Sequence, residues 1–321
     1  MSYSIIKLPE LLKMKLKNKV LTVVFILAFT SALSAEARKR AFTVFIGDYP
    51  ESSGWTKIHA ANDKSIVLKT LLNNGFQRED IVCLDESNAT YLAITNKLDY
   101  FVKLCQPGDE IYIHFSCHGQ WMTDIDGDES ARNPRDRYDE SIVPFDAQIA
   151  PNWLGSGYKG EHHITDDLLN SYFLDIEQRI GRKGCLMVIF DACHSGDAQR
   201  VFNDRDDVQQ SYVFRGIKDV FELPATGLRT TTHHSKETDC IIISACNDYE
   251  SNFECKIDGT MYGRLSYVIS KVWKNGMAHD TLQRAIEKEY DSLKVFSPLP
   301  KDHTQTPVFV LPKNYSGRKL F

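Results

Sequence analysis

The sequence predicts an α/β fold, a doubly wound and mostly parallel sheet of six strands flanked by helices. Short apolar runs rich in β-branched residues alternate along the chain with longer amphipathic stretches. Continuous apolar runs are typical of parallel strands that helices cover on both faces, and their alternation with helices gives βαβ units. With 42% hydrophobic and 25% charged residues, the 321-residue chain has an ordinary globular composition.

Each predicted strand is a run of apolar or β-branched residues, in order Phe42–Gly47, Ile81–Leu84, Glu110–Ser116, Leu186–Asp191, Cys240–Ser244 and Val308–Leu311. The amphipathic stretches predict five helices, Lys57–Asn74, Asn88–Leu104, Asp166–Ile180, Arg264–Lys274 and Asp280–Leu293. An apolar stripe supports the first helix, and Asn74-Gly75 ends it. Two stretches, Trp121–Gly160 and Asp197–Asp239, show no clear period and are predicted to be functional loops.

The first 37 residues resemble a secretory signal peptide. A lysine-rich segment precedes the uncharged run Val20–Leu33, and Ala35-Glu36-Ala37 provides an A-x-A cleavage site. The run is shorter than the roughly 20 residues needed to span a bilayer, so an uncleaved signal anchor and a buried helix are weaker alternatives. We therefore expect export to the periplasm, the cell surface or the medium, with no stable membrane span after cleavage. Met14 is an alternative start.

Charge and cysteine usage restrict the function further. The 38 basic and 43 acidic side chains give a net charge of −5, which argues against nucleic acid as a partner. Export would permit disulfides between the 8 cysteines. Several of them lie in or beside apolar strands, however, which favours free, mostly buried thiols and at most one or two bridges. A disulfide-exchange or metal-binding protein is a weak alternative, because the chain has no C-x-x-C motif.

Reactive side chains follow two of the predicted strands. Cys117-His118-Gly119 comes directly after Glu110–Ser116, and Cys193 lies two residues beyond Asp191. The carboxyl ends of parallel strands face one crevice, so we expect His118 and Cys193 to meet there. A cysteine in this position can have a lowered pKa, and an imidazole beside it can act first as base and then as acid.

The motifs that carry this pair are FSCHGQ (115–120) and FDACHSG (190–196). Further matches follow in the same order, at residues 60–63, 88–90, 126–129, 138–140, 142–144 and 243–246. The ordered set resembles the caspase-like cysteine peptidases of the metacaspase branch, in the clan of caspases, clostripain and gingipains, over roughly Ala41 to Thr260. The resemblance divides residues 38–321, one peptidase domain, into a larger segment (38–196), a polar intersegment loop (197–239) and a smaller segment (240–321).

The resemblance implies a role for each matching residue. Cys193 would be the nucleophile, His118 the general base and acid, and the backbone N–H groups of Gly119 and Cys193 the oxyanion hole. Asp63, Ser116 and Asp191 match the acidic pocket that accepts Arg or Lys before the scissile bond. Two carboxylates there would hold a guanidinium by charge-assisted hydrogen bonds. The implied activity is that of an exported cysteine endopeptidase acting on protein or peptide substrates with Arg or Lys.

The resemblance suggests Ca²⁺ as an activator of the peptidase. It implies no cofactor that the cleavage reaction itself requires. Asp139, Asp166 and Asp167 match three of the family's calcium positions. The fourth falls near Arg200, a departure from the family's pattern, and a loop shift would have to bring Asp197 or Asp204 there.

The polar intersegment loop contains basic residues that would fit such a pocket. We therefore expect self-cleavage within Asp197–Asp239, after Arg215, Lys218 or Arg229; the alternative is a solvated loop that is never cut. At the level of function, the alternative is a catalytically silent caspase-fold scaffold that binds basic peptides.

Overall fold

A computed structural model describes residues 37–124, 138–192, 212–222 and 238–312. Its central sheet has six strands in the order β12-β9-β7-β3-β1-β2. These strands are β1 (Lys39–Phe45), β2 (Ile81–Asp85), β3 (Glu110–Ser116), β7 (Cys185–Asp191), β9 (Ile241–Ser244) and β12 (Val308–Val310). All neighbours are parallel except β12, which runs antiparallel to β9 at one edge. The predicted fold class is confirmed.

The central strands are buried on both faces, as their continuous apolar sequences predict. In β3, six of the seven residues are buried, and β1 has the same proportion. One face of the sheet packs in a core around Phe42, Phe101 and Phe173, and the other in a core around Phe45, Met187 and Trp273. The sheet therefore has a hydrophobic layer on each side, which fixes its strands as a rigid base for the loops at its carboxyl edge.

Five helices lie between the strands: α1 (Ala60–Asn73), α2 (Tyr91–Leu104), α3 (Asp166–Ile180), α4 (Arg264–Val272) and α5 (His279–Phe296). The side chains of Thr90 and Thr165 accept hydrogen bonds from the first turns of α2 and α3, which fixes where these helices begin. Two predicted starts are early. Lys57 lies in a non-helical segment before α1, and Asn88 belongs to a short 3₁₀ turn before α2.

The two predicted loops contain strands that the sequence did not show. A second sheet has the order β6-β5-β4-β8, formed by β4 (Gly119–Thr123), β5 (Tyr138–Ile142), β6 (Ile164–Thr165) and β8 (Ile217–Phe221). The prediction of loops was therefore wrong where β4, β5 and β8 lie. Outside both stretches, a hairpin joins β10 (Glu254–Ile257) and β11 (Thr260–Gly263). These strands are short and partly polar, so the run of apolar residues that marks a buried strand is absent from them.

Seven cysteines lie among the described residues, and six of them are buried. None of the helices in the described part of the chain is long and apolar enough to cross a membrane. The signal segment falls almost entirely on residues 1–36, outside the described residues, so the predicted export stays a prediction.

Candidate active site

The site lies at the carboxyl edge of the central sheet, where β1, β3 and β7 end in register. Ser116, the last residue of β3, pairs with Phe45 of β1 on one side and with Asp191 of β7 on the other. Two residues beyond Ser116, His118 leads into β4, so the chain turns from the central sheet into the second sheet at this point. The strand register thus places Ser116, His118 and Asp191 around one crevice, as the parallel sheet predicted.

His118 is held in one orientation by its surroundings. Its side chain is buried, and Nε2 lies 2.8 Å from the carbonyl oxygen of Thr56. The Trp55 ring stacks on the imidazole with 4.9 Å between centroids, and the His118 backbone N–H donates to the hydroxyl of Tyr49 at 3.1 Å. Because a carbonyl only accepts, the proton must be on Nε2, which leaves the lone pair on Nδ1. Nδ1 is buried and has no hydrogen-bond partner among the described residues.

This imidazole is neutral at physiological pH. Burial lowers the pKa of His118 to about 4, and the nearby positive charge of Arg215 contributes to the decrease, although the Thr56 carbonyl opposes it. A neutral imidazole with a free Nδ1 lone pair can accept a proton. Cys117 is instead buried in the core, and its burial raises the pKa of its thiol to about 12, so this neighbour is a packing residue.

Cys193 lies outside the described residues, which end at Ala192 on this segment. Asp191 and Ala192 lead the chain to it directly from the carboxyl end of β7. Gly119 is the first residue of β4 and pairs with Ile142. The predicted roles of Cys193 and Gly119 remain predictions.

Arg215 occupies the pocket that the sequence predicted for a basic residue of the substrate. The side chain of Arg215 is fully buried, and its Nη2 donates to Asp63 Oδ2 at 2.6 Å. Nη1 donates to Ser116 Oγ at 2.8 Å and to the Asp191 carbonyl oxygen at 3.3 Å. Nη2 and Nε both contact Oε1 of Glu254, at 2.9 and 3.2 Å. We call the four residues Asp63, Ser116, Asp191 and Glu254 the acidic pocket.

Asp191 contributes to this pocket differently from what the sequence suggested. Its carboxylate oxygen Oδ1 is 3.8 Å from Arg215 Nη1, beyond hydrogen-bond distance. The carboxylate accepts instead from Asn252 Nδ2 at 2.8 Å and from the backbone N–H and hydroxyl of Ser266, both at 2.7 Å. The Asp191 carboxylate is thus within ion-pair distance of the Arg215 guanidinium but does not hydrogen-bond it, and its predicted role towards a substrate remains a prediction. Glu254 hydrogen-bonds the guanidinium instead, and the Asp191 carboxylate ties β7 to α4.

The two carboxylates of the acidic pocket that hydrogen-bond Arg215, Asp63 and Glu254, have very different pKa values. Burial raises the pKa of Asp63 to about 6, even though Arg215 beside it acts in the opposite direction. Burial also acts to raise the pKa of Glu254, but Arg215 and His59 outweigh it and bring that pKa down to about 2. Glu254 is thus charged throughout the physiological range, whereas Asp63 depends on a cation in the pocket to stay ionised near neutrality.

One wall of the pocket is the backbone of Gly263. Its N–H donates to Asp63 Oδ1 at 2.9 Å. A Cβ at this position would overlap Asp191 Oδ2 and lie 2.5 Å from Arg215 Nη1. Gly263 has an ordinary negative φ, which any residue can adopt. Glycine is needed here because a side chain would not fit, and not because of the backbone conformation. The guanidinium therefore fills a slot whose width depends on this glycine.

The segment that carries Arg215 is held to the chain before β10 by one antiparallel β-bridge. The Arg215 N–H donates to the Asn252 carbonyl at 2.9 Å, and the Glu254 N–H donates to the Val213 carbonyl at 2.8 Å. Phe214 bridges Phe253 in the antiparallel sense. Extended peptides commonly bind to a protein in this way, with backbone hydrogen bonds along an edge and side chains in pockets.

Beyond Arg215 the chain enters β8, which pairs in parallel with β4. The register sets Ile217 opposite Gln120. The pairing of β4 with β8 is irregular, with a register shift between Gln120 and Met122. β8 therefore begins beside β4 two residues after Arg215.

A family model, the metacaspase peptidase C14 domain, matches residues 39–201, which is more than half of the chain. The chain belongs to the metacaspase family. Curated relatives include metacaspase-1B of Aspergillus niger, 27% identical over 281 residues, and metacaspase-1 of Candida albicans, 26% identical over 282 residues. These alignments cover 75% and 74% of this chain and 58% of each relative, so the chain spans little more than half the length of those proteins.

A solved structure supports the metacaspase fold assignment at the level of architecture alone. The crystal structure of protein GSU0716 from Geobacter sulfurreducens aligns with a TM-score of 0.51 at 17% identity. The alignment covers 85% of this chain and 92% of that one.

The three aspartates predicted to bind calcium in this metacaspase lie on neighbouring elements. Asp139 is buried in β5, and Asp166 and Asp167 form the first turn of α3 directly after β6. β5 and β6 pair through Ser141 and Thr165, which brings these elements together. Carboxylate oxygens are suitable calcium ligands. Within the described ranges no group of three or more His, Cys, Asp or Glu is arranged to hold a metal, and the expected fourth position lies outside them.

The sequence analysis missed several residues of the site, because only contacts between distant parts of the chain bring them there. These residues are Tyr49, Trp55, Thr56, Asn252, Glu254, Gly263 and Ser266. Thr56 contributes only its carbonyl oxygen, which no side-chain pattern reveals. Glu254 follows an irregular polar segment and is the first residue of a hairpin strand, so no periodicity marked it.

Proposed function

We propose that this metacaspase is a cysteine endopeptidase that uses Cys193 and His118 to cleave peptide bonds after Arg or Lys. The observation that carries the proposal is the placement of Arg215. A guanidinium of the same chain is held in the acidic pocket by Asp63, Ser116 and Glu254, and its backbone forms a β-bridge to the segment that leads into β10. A substrate arginine bound in the same way would present its carbonyl beside His118.

In this mechanism His118 first acts as the base. Its Nδ1 lone pair accepts the thiol proton of Cys193, while the Thr56 carbonyl holds the Nε2–H and so fixes the tautomer. The thiolate attacks the carbonyl carbon after the basic residue, and the C=O electron pair moves onto oxygen. The N–H groups of Gly119 and Cys193 stabilise that oxyanion.

His118 then acts as the acid. Imidazolium Nδ1–H protonates the amine of the leaving peptide as the C–N bond breaks, which leaves a thioester on Cys193. Water adds to the thioester with His118 again as base, and collapse of the second tetrahedral intermediate releases the carboxylate product and the thiol. The low pKa of His118, about 4, keeps it in the base form at the start of each cycle.

The same chemistry applied to the chain itself would cut the Arg215–Gly216 bond. Of the predicted cleavage positions, Arg215 is favoured because it is seated in the acidic pocket. Wild-type protein incubated at neutral pH is expected to yield a fragment that begins at Gly216, read by N-terminal sequencing. Cys193→Ala protein is expected to stay intact under the same conditions.

Two substitutions serve as matched controls for that experiment. Arg215→Gln removes the guanidinium and should abolish this cut, whereas Arg229→Gln should leave it unchanged. Identical intact bands from wild type and Cys193→Ala would end the self-cleavage proposal. A cut that persists in Arg215→Gln would assign it to another residue.

The full burial of the Arg215 side chain supports a second candidate function, that of a scaffold that binds basic peptides without cleaving them. In this alternative the protein is a catalytically silent scaffold, and a basic peptide binds by displacing the segment 212–216 from the acidic pocket without being cleaved. Wild-type protein assayed with a fluorogenic Arg-amide peptide distinguishes the two functions. Hydrolysis that disappears in Cys193→Ala supports the peptidase, and no hydrolysis with retained peptide binding supports the scaffold.

Export and calcium activation are parts of the same proposal. Export predicts a mature N terminus at Arg38, measured by mass spectrometry of protein expressed with the full leader. Calcium activation predicts that added Ca²⁺ raises the peptidase rate and that a chelator reverses the effect. Asp139→Asn should weaken that response while leaving the calcium-free rate unchanged.

A further inference from the structure

Glu254 is a part of the acidic pocket that neither its sequence context nor the family pattern marked. It is the first residue of β10, and its side chain is fully buried. Its Oε1 accepts one hydrogen bond from Arg215 Nη2 at 2.9 Å and another from Arg215 Nε at 3.2 Å. The two other side-chain partners of the guanidinium, Asp63 and Ser116, contact only its terminal nitrogens, at 2.6 and 2.8 Å.

This difference in position separates arginine from lysine. Both side chains can bring a terminal nitrogen to Asp63 and Ser116. Only arginine carries a further donor, Nε, one atom up the side chain, where lysine has a methylene carbon. A lysine in the pocket would leave Glu254 Oε1 without the Nε donor that arginine supplies, and a buried charge that loses a partner is costly.

Glu254 cannot turn away to relieve this loss, because His59 holds it from the other side. The His59 backbone N–H donates to Oε1 at 2.7 Å, and Nδ1 of its ring lies 2.5 Å from Oε2. His59 directly precedes α1, the helix that carries Asp63. The two carboxylates that face the guanidinium are thereby fixed relative to each other.

We propose that Glu254 is a specificity-determining residue that makes the acidic pocket select arginine over lysine before the scissile bond. The proposal rests on the proposed function, because it concerns which substrates that site cleaves. The sequence predicted cleavage after Arg or Lys. This proposal states that Arg is preferred to Lys and that the Glu254 carboxylate causes the preference.

The test compares two fluorogenic peptides that are identical except for Arg or Lys before the cleaved amide. The measured quantity is the ratio of kcat/KM for the Arg and Lys peptides within one preparation. That ratio does not depend on how much of the protein is active, so incomplete self-processing or partial misfolding leaves it unchanged. Wild type is expected to favour Arg by about tenfold or more, the range of one hydrogen bond to a charged group.

Glu254→Gln keeps the shape of the side chain but removes its charge, and the Arg-to-Lys ratio is expected to fall at least about fivefold. Glu254→Ala, which removes the acceptor entirely, should bring the ratio close to one. The matched control is Glu287→Gln on the exposed face of α5, which should retain the wild-type ratio.

A wild-type ratio near one, or a ratio that the Glu254 variants leave unchanged, overturns this inference while the peptidase proposal stands. Wild type that cleaves neither peptide overturns the proposed function and this inference together. If the Glu254 variants turn over too slowly, the ratio of Kd values for product peptides ending in Arg or Lys is measured in Cys193→Ala, Arg215→Gln protein. An unchanged Kd ratio in that background also overturns the inference.

Discussion

Gly263 sets the width of the acidic pocket at the scale of a single residue. An added methyl group would overlap Asp191 Oδ2 and lie 2.5 Å from the position of Arg215 Nη1. Overpacking of this kind costs about 1–3 kcal/mol, so we expect Gly263→Ala to lower kcat/KM for an Arg peptide by about tenfold or more. The measurement is steady-state hydrolysis of that peptide.

Gly259 provides the control for this substitution, because it lies in the same hairpin and a Cβ there would meet nothing within 4 Å. Its φ of +85° is left-handed, so Gly259→Asn is the conservative replacement. Its activity should match wild type. Full activity of Gly263→Ala would contradict the seating of the guanidinium against this wall.

The charge on Asp63 should give the enzyme a pH dependence that acts through substrate binding. Burial raises the pKa of Asp63 to about 6. That value holds with the Arg215 guanidinium in the pocket, and an empty pocket lacks this lowering charge. The attraction of Asp63 for a substrate arginine therefore weakens as the pH falls towards 6 and is lost below it. His118 titrates lower, at a pKa of about 4, and stays a base over the same interval.

We therefore expect kcat/KM for an Arg peptide to fall through a rising KM as the pH is lowered towards 6, while kcat holds to lower pH. Full pH profiles of both constants make this measurement, with Glu287→Gln as a variant that should reproduce the wild-type profiles. A KM that stays constant between pH 4 and 7 would show that Asp63 does not titrate there.

At the scale of elements, the segment before Arg215 lies along β10 and the residues that precede it. Residues of a strand that are two apart point to the same side. Tyr212 and Phe214 both pack edge-on against the Phe253 ring, with centroids 6.1 and 6.4 Å apart. His303 contacts the same ring at 5.3 Å. Phe253 is thus an aromatic platform beside the acidic pocket.

This platform predicts a preference at two further positions of a substrate. A peptide Tyr-Val-Phe-Arg should be cleaved several times faster than Ala-Val-Ala-Arg, because aromatic pairs contribute about 0.5–1.5 kcal/mol each beyond their burial. Phe253→Ala should reduce the difference, whereas Tyr249→Ala, at an exposed aromatic residue, should preserve it. Equal rates for the two peptides in wild type would contradict the platform.

At the scale of the whole molecule, the stability of the fold depends on a second buried arginine. Arg40 of β1 donates from Nη1 to Asp80 and from Nε to Asp109, both at 2.7 Å, and all three side chains are nearly inaccessible to water. These bonds tie β1 to the segments that lead into β2 and β3. Arg40→Met would leave two carboxylates buried without their partner.

We expect Arg40→Met to lower the free energy of unfolding by about 3–5 kcal/mol, measured by urea denaturation of Cys193→Ala protein. Arg38 offers a matched comparison. Its side chain is 58% exposed and 3.5 Å from the same Asp80, so Arg38→Met should cost no more than about 1 kcal/mol. Similar decreases in the free energy of unfolding for the two variants would show that the buried Arg40 contacts stabilise the fold no more than the exposed Arg38 contact.

The sequence by itself determined the central sheet, the succession of strands and helices along the chain, and the meeting of the carboxyl ends of β3 and β7 at one edge. Apolar runs identify buried strands locally, and parallel strands must bring their carboxyl ends to one edge, so these features need no knowledge of distant contacts. The matching motifs then added Asp63 and Ser116 to the same crevice.

Only the tertiary structure decided what fills and shapes that crevice. Arg215 lies 152 residues from Asp63 along the chain, yet donates to it at 2.6 Å, and Glu254 reaches the guanidinium from a hairpin that no periodicity predicted. A buried charge has to find opposite charges and hydrogen bonds wherever the fold supplies them. That pairing is a property of the folded chain and not of any local pattern.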